Sequence, residues 1–333
     1  FTPQHFIDLV EKNGIAFHEK HKGQLFADRS AQDIVRMLLD ACALAGVQRW
    51  QPCTIETIEA EAASAPRSGP SRYRLHTSQG LVQAHNLVVA TGGLSIPKIG
   101  ATDFGYRIAK QFGLPIVAQR PGLVPLRFAG EDWAPYADLA GVALPVRIST
   151  GEKKAAIAFH EDLLFTHRGL SGPAILQISS YWQPGQPLTI DLLPHLDIAA
   201  ALQEAKASSK KQLPNLLAQW LPTRLAEAWC QHTPAWQGPV NQCSDKALAQ
   251  LAHSLSHWQI TPSGTEGYAK AEVTLGGVDT QALAQQSMQA KQQPGLFFIG
   301  EVVDITGWLG GYNFQWAWAS AYVCAQALQA ASA

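Results

Sequence analysis

The sequence predicts an α/β fold in which a discontinuous nucleotide-binding domain encloses an inserted β-rich and helical domain. Two segments carry this prediction, residues 86–93 and residues 297–301, and each is a short apolar run followed by small or acidic residues. Such a run is typical of a buried parallel strand whose carboxyl end opens into a ligand-binding crevice. The residue pattern changes near residue 120 and strand character returns near residue 271, so the domain that contains both segments is predicted to be discontinuous.

An acidic, glycine-rich loop and then a helix follow the second of these segments. Asp304 would face the hydroxyls of a ribityl chain, and the pair Gly310 and Gly311 would let the backbone approach a flavin. The helix near Asn313 would aim free N–H groups and its positive dipole end at a flavin carbonyl edge. An ordinary loop between a strand and a helix is the alternative. The candidate cofactor-binding residues of this segment are Gly300, Glu301, Asp304, Gly310, Gly311, Tyr312, Asn313 and Phe314.

An antiparallel hairpin is predicted immediately before the first segment. Residues 72–77 and 81–84 have strand-like composition and flank the turn-forming residues 78–80. Hairpin, buried strand and small-residue turn form a specific order of elements. The candidate cofactor-binding residues here are Ala90, Thr91, Gly92 and Gly93.

In this order of elements the chain resembles the flavoproteins with two dinucleotide-binding domains, in which both turns approach FAD. Within that superfamily it resembles the bacterial NAD(P)/FAD-dependent oxidoreductases of the aminoacetone oxidase-like group, which includes a flavoprotein of bile-acid 7-dehydroxylation. The motifs that carry the resemblance are spread over nearly the whole chain, at residues 23–26, 122–126, 165–173, 271–278 and 300–318.

The resemblance implies an FAD-dependent oxidoreductase that acts on a small molecule, with NAD(P)H as a further candidate cofactor. It also implies that a backbone group near Thr54 pairs with the adenine of FAD, and a plain sheet residue is the alternative there. The strand, glycine-rich turn and helix that would hold the FAD pyrophosphate are absent, since no Gly-x-Gly-x-x-Gly occurs. The sequence therefore predicts an incomplete Rossmann-like domain in a carboxy-terminal fragment, with evolutionary loss of the cofactor as the alternative.

A candidate catalytic residue, His167, lies in the motif at residues 165–173. The resemblance places this motif in the inserted domain that covers the flavin. Histidine readily exchanges protons near neutral pH, so His167 is a candidate general acid or base. A hydrogen-bonded structural histidine is the alternative.

The predicted domain boundaries follow changes in residue pattern. Residues 1–119 and 273–333 form the FAD-binding domain, and residues 120–272 form the insertion. Alternating runs predict a β-barrel-like part in residues 123–193, and alanine- and leucine-rich runs predict helices in residues 198–258. In the FAD-binding domain, helices are predicted at residues 4–11, 34–44 after a capping box at 30–33, and 104–112, and strands at residues 47–50 and 54–58.

Composition predicts a cytoplasmic enzyme with no nucleic-acid or membrane partner, and leaves the oligomeric state open. The 25 basic and 26 acidic residues are interspersed without a basic stripe, and no apolar run reaches about 18 residues. The five scattered cysteines are predicted to be buried thiols in a reducing compartment, which argues against a redox disulfide.

Several other motifs are discounted. The pairs His253/His257 and His18/His21 lack the carboxylate arrangement of a zinc peptidase, so no metal site is predicted. Ser171 is better explained as a helix cap than as a hydrolase nucleophile, since its motif ends in proline. Two rival functions remain open: a non-catalytic remnant that acts as a binding protein, and an RNA-modifying flavoprotein, which a basic surface cluster would favour.

Overall fold

The computed structural model describes residues 1–20, 23–60, 72–152 and 156–332. By its internal contacts the chain divides into two compact units. The first unit consists of Phe1–Leu94, Ala101–Gln119 and Leu275–Ala333, and the second of Ser95–Gly100 and Arg120–Thr274. The mixed α/β architecture is the predicted fold class.

The helices and strands follow in chain order. The amino-terminal part contains α1 (Pro3–Lys12), β1 (Phe17–Glu19), β2 (Leu25–Ala27), α2 (Gln32–Leu44), β3 (Ile55–Ala60), β4 (Tyr73–Thr77), β5 (Gly80–Ala84), β6 (Leu87–Val89), α3 (Phe104–Gln111) and β7 (Ile116–Gly122). The central part contains β8 (Leu126–Arg127), α4 (Gly130–Trp133), β9 (Ala143–Thr150), β10 (Ile157–Thr166), β11 (Gly169–Ser171), α5 (Pro173–Ser179), β12 (Leu188–Asp191), α6 (Ile198–Ser208), α7 (Leu213–Leu217), α8 (Thr223–Gln231), α9 (Asp245–Ser256), β13 (Trp258–Ile260) and β14 (Gly264–Thr265). The carboxy-terminal part contains β15 (Val273–Val278), β16 (Leu283–Ala284), β17 (Gln289–Ala290), β18 (Leu296–Phe298) and α10 (Tyr312–Ser332).

In the first unit, a four-stranded sheet has the order β16-β17-β18-β6, and a three-stranded antiparallel sheet has the order β3-β4-β5. Strands β18 and β6 are parallel, whereas β16, β17 and β18 are antiparallel. The core between helices and strands includes the fully buried side chains of Tyr73 and Phe298, and the Tyr73 hydroxyl donates to the Pro294 carbonyl at 2.7 Å. This hydrogen bond offsets the cost of burying the phenol.

In the second unit, seven antiparallel strands form one sheet in the order β13-β12-β9-β10-β11-β8-β14. Alternation along β9 buries Leu144, Val146 and Ile148 on one face and exposes the residues between them, as expected of a sheet with one solvated face. The helices α6 to α9 contribute further leucines to the same core. Capping is visible at α9, where the Ser244 hydroxyl accepts from the Ala247 N–H at 3.2 Å.

Four local predictions are wrong. Ser171, expected to cap a helix, lies in β11, and the residue at the N-cap of α5 is Gly172. Residues 47–50 form no strand, and Val47 and Trp50 are 57% and 41% exposed, because no neighbouring strand in the described part of the chain bonds to them. The residue at the N-cap of α2 is Ala31, and Ser30 instead accepts a hydrogen bond from the Gln32 N–H at 3.1 Å. Cys42 is exposed and Cys53 is only half-buried, although Cys230, Cys243 and Cys324 are buried free thiols as predicted.

Two further observations bear on the discounted motifs and the membrane prediction. His253 and His257 stack with ring centroids 4.8 Å apart, and His21 lies outside the described residues. Over the described part of the chain, no helix is both long and apolar enough to cross a membrane.

Candidate functional site

The two predicted cofactor loops begin at the same edge of one sheet. Strands β6 and β18 pair in parallel with Val89 opposite Phe298, and the Ile299 N–H donates to the Val89 carbonyl at 3.1 Å. Parallel neighbours end side by side, so residues 90–93 and the loop from Gly300 onward leave the sheet together. The two strands were predicted from their apolar runs, whereas their parallel pairing was not.

The Glu301 side chain, in the loop that follows β18, binds the loop that follows β6. The buried Gly93 N–H donates to the Glu301 carboxylate at 3.3 Å, so both residues are used to join the loops. Helix α3 also packs against this junction. A Cβ on Gly105 would collide with the Thr91 hydroxyl and lie 2.9 Å from the Val302 side chain. Gly105 was not among the predicted site residues. Its position in the first turn of a predicted helix could have indicated close packing, because a glycine there lowers helix stability.

Helix α10 fixes the backbone of Gly300 from both sides. The Gly300 N–H donates to the Ser320 hydroxyl at 3.0 Å, and the Trp316 indole N–H donates to the Gly300 carbonyl at 2.9 Å. Ser320 is only 1% exposed and donates in turn to the Trp316 carbonyl at 2.8 Å. Neither side chain was predicted to contribute to the site. A serine within the apolar run of residues 316–323 was the available signal.

Asp304 presents a partly buried carboxylate next to these loops. Its N–H donates to the Val278 carbonyl at 2.9 Å, which fixes its position relative to β15. Burial raises the pKa of the Asp304 carboxyl, the negative charge of Asp279 raises it further, and a hydrogen bond from the Gly276 backbone lowers it. The net direction is upward, so the free carboxylate gains from a donor that stabilises its charge.

The glycine-rich loop before α10 is braced by Asn313. Its amide oxygen accepts from the Gly307 N–H at 2.8 Å and its amide nitrogen donates to the Gly307 carbonyl at 3.1 Å. Around this brace the aromatic side chains are exposed: Trp308 by 48%, Tyr312 by 60% and Phe314 by 76%. Clustered exposed aromatic residues indicate a ligand-binding surface rather than core. Gln24, which was not predicted, also lies here, 3.9 Å from a Cβ built on Gly310.

The loops fit a flavin. Gly92, Gly300 and Gly311 have φ values of 71°, 72° and 88°, and a Cβ built on any of them meets no atom of the described residues within 4 Å. Their backbones therefore face open space in a conformation that L side chains rarely adopt. Open backbone, an adjacent carboxylate and the N–H groups at the start of α10 match the hydroxyls and carbonyl edge of a flavin.

Thr54 lies elsewhere in the first unit. Its N–H donates to the Ser78 hydroxyl at 3.0 Å and its carbonyl accepts from the Ser78 N–H at 2.9 Å, so the pair closes the β3-β4-β5 sheet. The structure thus places Thr54 on a different sheet from the two cofactor loops, and an adenine contact there stays a prediction.

His167 lies in the second unit, at the tip of the β10–β11 hairpin. The shape of this hairpin is explained by its neighbours: a Cβ on Gly169 would collide with the Leu126 carbonyl, and one on Gly172 would lie 2.8 Å from the Asp162 carbonyl. The Thr166 hydroxyl donates to the Gly169 carbonyl at 2.9 Å. These residues shape the turn, and His167 is left exposed at its tip.

Comparison with known proteins agrees with this geometry. Residues 1–327 match the HI0933-like protein Rossmann domain family. The chain belongs to this family. HI0933-like proteins are FAD-binding Rossmann oxidoreductases, so the flavoprotein class predicted from the sequence is confirmed.

Three relatives are informative. The chain is 48% identical to the ribosomal RNA dihydrouridine synthase of Escherichia coli (strain K12), over 99% of this chain and 80% of the relative. It is 45% identical to the ribosomal RNA dihydrouridine synthase of Haemophilus influenzae, over 98% of this chain and 79% of the relative. A 3-dehydro-bile acid delta(4,6)-reductase of Clostridium scindens is 25% identical over 73% of this chain and 62% of the relative.

These HI0933-like relatives overturn one prediction. The sequence predicted that the protein has no nucleic-acid partner. Two relatives are named ribosomal RNA dihydrouridine synthases, which points to an RNA partner. The exclusion rested on the lack of a basic stripe in the sequence. Basic residues far apart in sequence can still meet in the fold. Arg127 lies on β8 and Arg168 in the turn before β11, and the pairing of β8 with β11 brings them together.

Proposed function

We propose that the protein is a flavin-dependent reductase that converts uridine in ribosomal RNA to dihydrouridine. The observation that carries the proposal is the identity of 48% and 45% to two ribosomal RNA dihydrouridine synthases, over 99% and 98% of this chain. The matched region contains both cofactor loops and the whole second unit. A small-molecule substrate, the expectation from the sequence, is the rival, and the more distant bile-acid reductase represents it.

The chemistry requires a hydride and a proton. Dihydrouridine carries two more hydrogen atoms than uridine, added across the C5–C6 bond of the uracil ring. A reduced flavin bound at these loops would supply the hydride, and NAD(P)H is the proposed source of the electrons. The residues of this chain hold and orient the cofactor through the open backbone of Gly92, Gly300 and Gly311 and through the Asp304 carboxylate.

A direct assay tests the proposal. The FAD-loaded protein is incubated with a ribosomal RNA transcript and NADH or NADPH, and the digested RNA is analysed for dihydrouridine by mass spectrometry. Dihydrouridine should accumulate with time, and only when FAD and a reductant are both present. Reduction of an unsaturated ketone by the same preparation, with no dihydrouridine formed, would instead support the small-molecule rival.

We also propose His167 as a proton-transfer residue, on the basis of its exposed position at the hairpin tip. His167→Ala is expected to keep FAD and RNA binding but to lower kcat by about 10²–10⁴, the usual contribution of positioned proton transfer. The pH dependence of kcat should change with it. His160→Ala is the matched control, because His160 is an exposed histidine on the adjoining strand β10. An unchanged pH–rate profile in His167→Ala would leave His167 a structural residue.

A further inference from the structure

The second unit contains a groove whose lining includes His167, the proposed proton-transfer residue, and none of the residues of the two cofactor loops. Its cavity has a volume of about 450 Å³ and is bordered by β8, α4, the β10–β11 turn and the segment before β14. The residues that matter for its chemistry are Arg127, Phe128, Trp133, His167, Arg168 and Ser263. All of them belong to the second unit.

Two guanidinium groups flank a single carboxylate at this groove. Glu266 lies 4.0 Å from the Arg127 Nε atom and 3.8 Å from an Arg168 Nη atom, and its side chain is 20% exposed. The side chains of Arg127 and Arg168 are 51% and 77% exposed. Both nitrogen–oxygen distances exceed hydrogen-bond length, so Glu266 forms ion pairs with the arginines and leaves their N–H groups for another acceptor. None of the described residues that line the groove is acidic, so its two guanidinium groups favour an anion.

The backbone beneath these arginines is firmly held. Ser263 donates to the Arg127 carbonyl from its N–H at 2.8 Å and from its hydroxyl at 3.2 Å. The Trp133 indole donates to the Thr166 carbonyl at 3.0 Å, which ties α4 to the hairpin that carries Arg168. The backbone that carries the two arginines is therefore held in place, which lowers the part of the entropy cost of binding that comes from the main chain.

The floor of the groove is aromatic. Phe128 and Trp133 stack with centroids 4.9 Å apart and ring planes at 15°, and both are buried. An apolar floor beneath cationic rims suits a ligand that alternates a charged group with a less polar one. A sugar-phosphate chain has this character, and its phosphates match the planar donor fork of arginine.

We propose that this groove, defined by Arg127, Arg168 and the Phe128/Trp133 floor, binds a sugar-phosphate segment of the RNA substrate. The proposal rests on the proposed function for the identity of the nucleic acid. The phosphates bind the two guanidinium groups, which Glu266 draws to the same side of the groove by charge. The contact carries no base specificity, so it positions the RNA without selecting the sequence.

Binding of a ribosomal RNA transcript to the FAD-loaded protein, measured by fluorescence anisotropy over a range of salt concentrations, tests the groove. The double variant Arg127→Ala/Arg168→Ala should weaken binding on the order of tenfold at low salt. The slope of log affinity against log salt should become shallower by about 0.7 for each phosphate that the variant no longer neutralises. Arg127→Lys/Arg168→Lys should recover part of the affinity, since it restores charge but not the planar fork. Arg147→Ala, an exposed arginine on β9, is the control and should bind as the unchanged protein does.

The outcomes separate the groove from the proposed function. Anisotropy does not depend on turnover, so RNA binding that needs both arginines without dihydrouridine formation would support the groove and reject the proposed function. Dihydrouridine formation with unchanged binding and salt dependence in the double alanine variant, confirmed as folded by thermal unfolding, would overturn the groove. A raised KM for NADPH but not NADH, with RNA binding unchanged, would overturn it as well and assign the arginines to a dinucleotide phosphate.

Discussion

Replacing Asp304 by asparagine is expected to weaken FAD binding by about 1–1.5 kcal/mol, roughly 5- to 13-fold in Kd, because the amide oxygen still accepts from a ribityl hydroxyl but the hydrogen bond is no longer charge-assisted. The measurement is titration of the flavin-free protein with FAD, followed by flavin fluorescence. Unchanged affinity would remove Asp304 from the cofactor site.

The raised pKa of the Asp304 carboxyl leads to a prediction of how FAD binding depends on pH. Burial and Asp279 raise the pKa of the Asp304 carboxyl in the flavin-free protein. A hydroxyl donor stabilises the ionised form, so FAD should lower this pKa, and affinity should fall as the pH drops through the raised pKa. Asp304→Asn should abolish the dependence. Asp279→Asn is the control: it keeps an oxygen acceptor for the Gln281 N–H, and it should move the dependence to lower pH.

The stability of the flavin-free protein should depend on pH in the opposite direction to its affinity for FAD. A carboxyl whose pKa is raised by folding contributes stability that is fully present below its unfolded pKa and is lost as the pH rises through its folded pKa. At neutral pH the ionised Asp304 therefore opposes folding, and Asp304→Asn should unfold at a higher temperature than the unchanged protein. Weaker FAD binding together with a more stable flavin-free protein is a result that simple misfolding cannot produce.

Gly169→Ala is expected to lower the free energy of unfolding of the second unit by about 3 kcal/mol or more. An added Cβ would collide with the Leu126 carbonyl and lie 3.0 Å from the Arg127 Cα, and both are backbone atoms that cannot rotate away. For a unit of this size the destabilisation corresponds to a fall in Tm of roughly 6–12 °C. Calorimetry measures it.

Gly141→Ala serves as the matched control for this prediction. Gly141 has a φ of 89°, but a Cβ there meets no atom within 4 Å in the described part of the chain. Only backbone strain of about 1–2 kcal/mol is expected. If both variants were destabilised equally, the close approach of β11 to β8 would not be the reason for glycine at position 169.

Local patterns were sufficient for much of the fold. The apolar runs at β6 and β18 and the turn between β4 and β5 specify their elements through short-range chemistry, and the structure confirms them. The strand predicted at residues 47–50 failed because a strand exists only when a neighbour satisfies its backbone, and a run such as this does not reveal its neighbours. The exclusion of nucleic acid failed for a related reason, since sequence spacing hides charges that the fold brings together.

The sequence by itself determined the α/β class and the positions of the two glycine turns, because strand periodicity and the glycine requirement for positive φ are properties of short segments. Tertiary structure alone decided what surrounds those turns. The hydrogen bonds of Ser320 and Trp316 to Gly300 and the packing of Gly105 on Val302 join segments far apart in the chain. The ion pairs of Arg127 and Arg168 with Glu266 also join distant segments. The packing of strands and helices decides which distant side chains become neighbours.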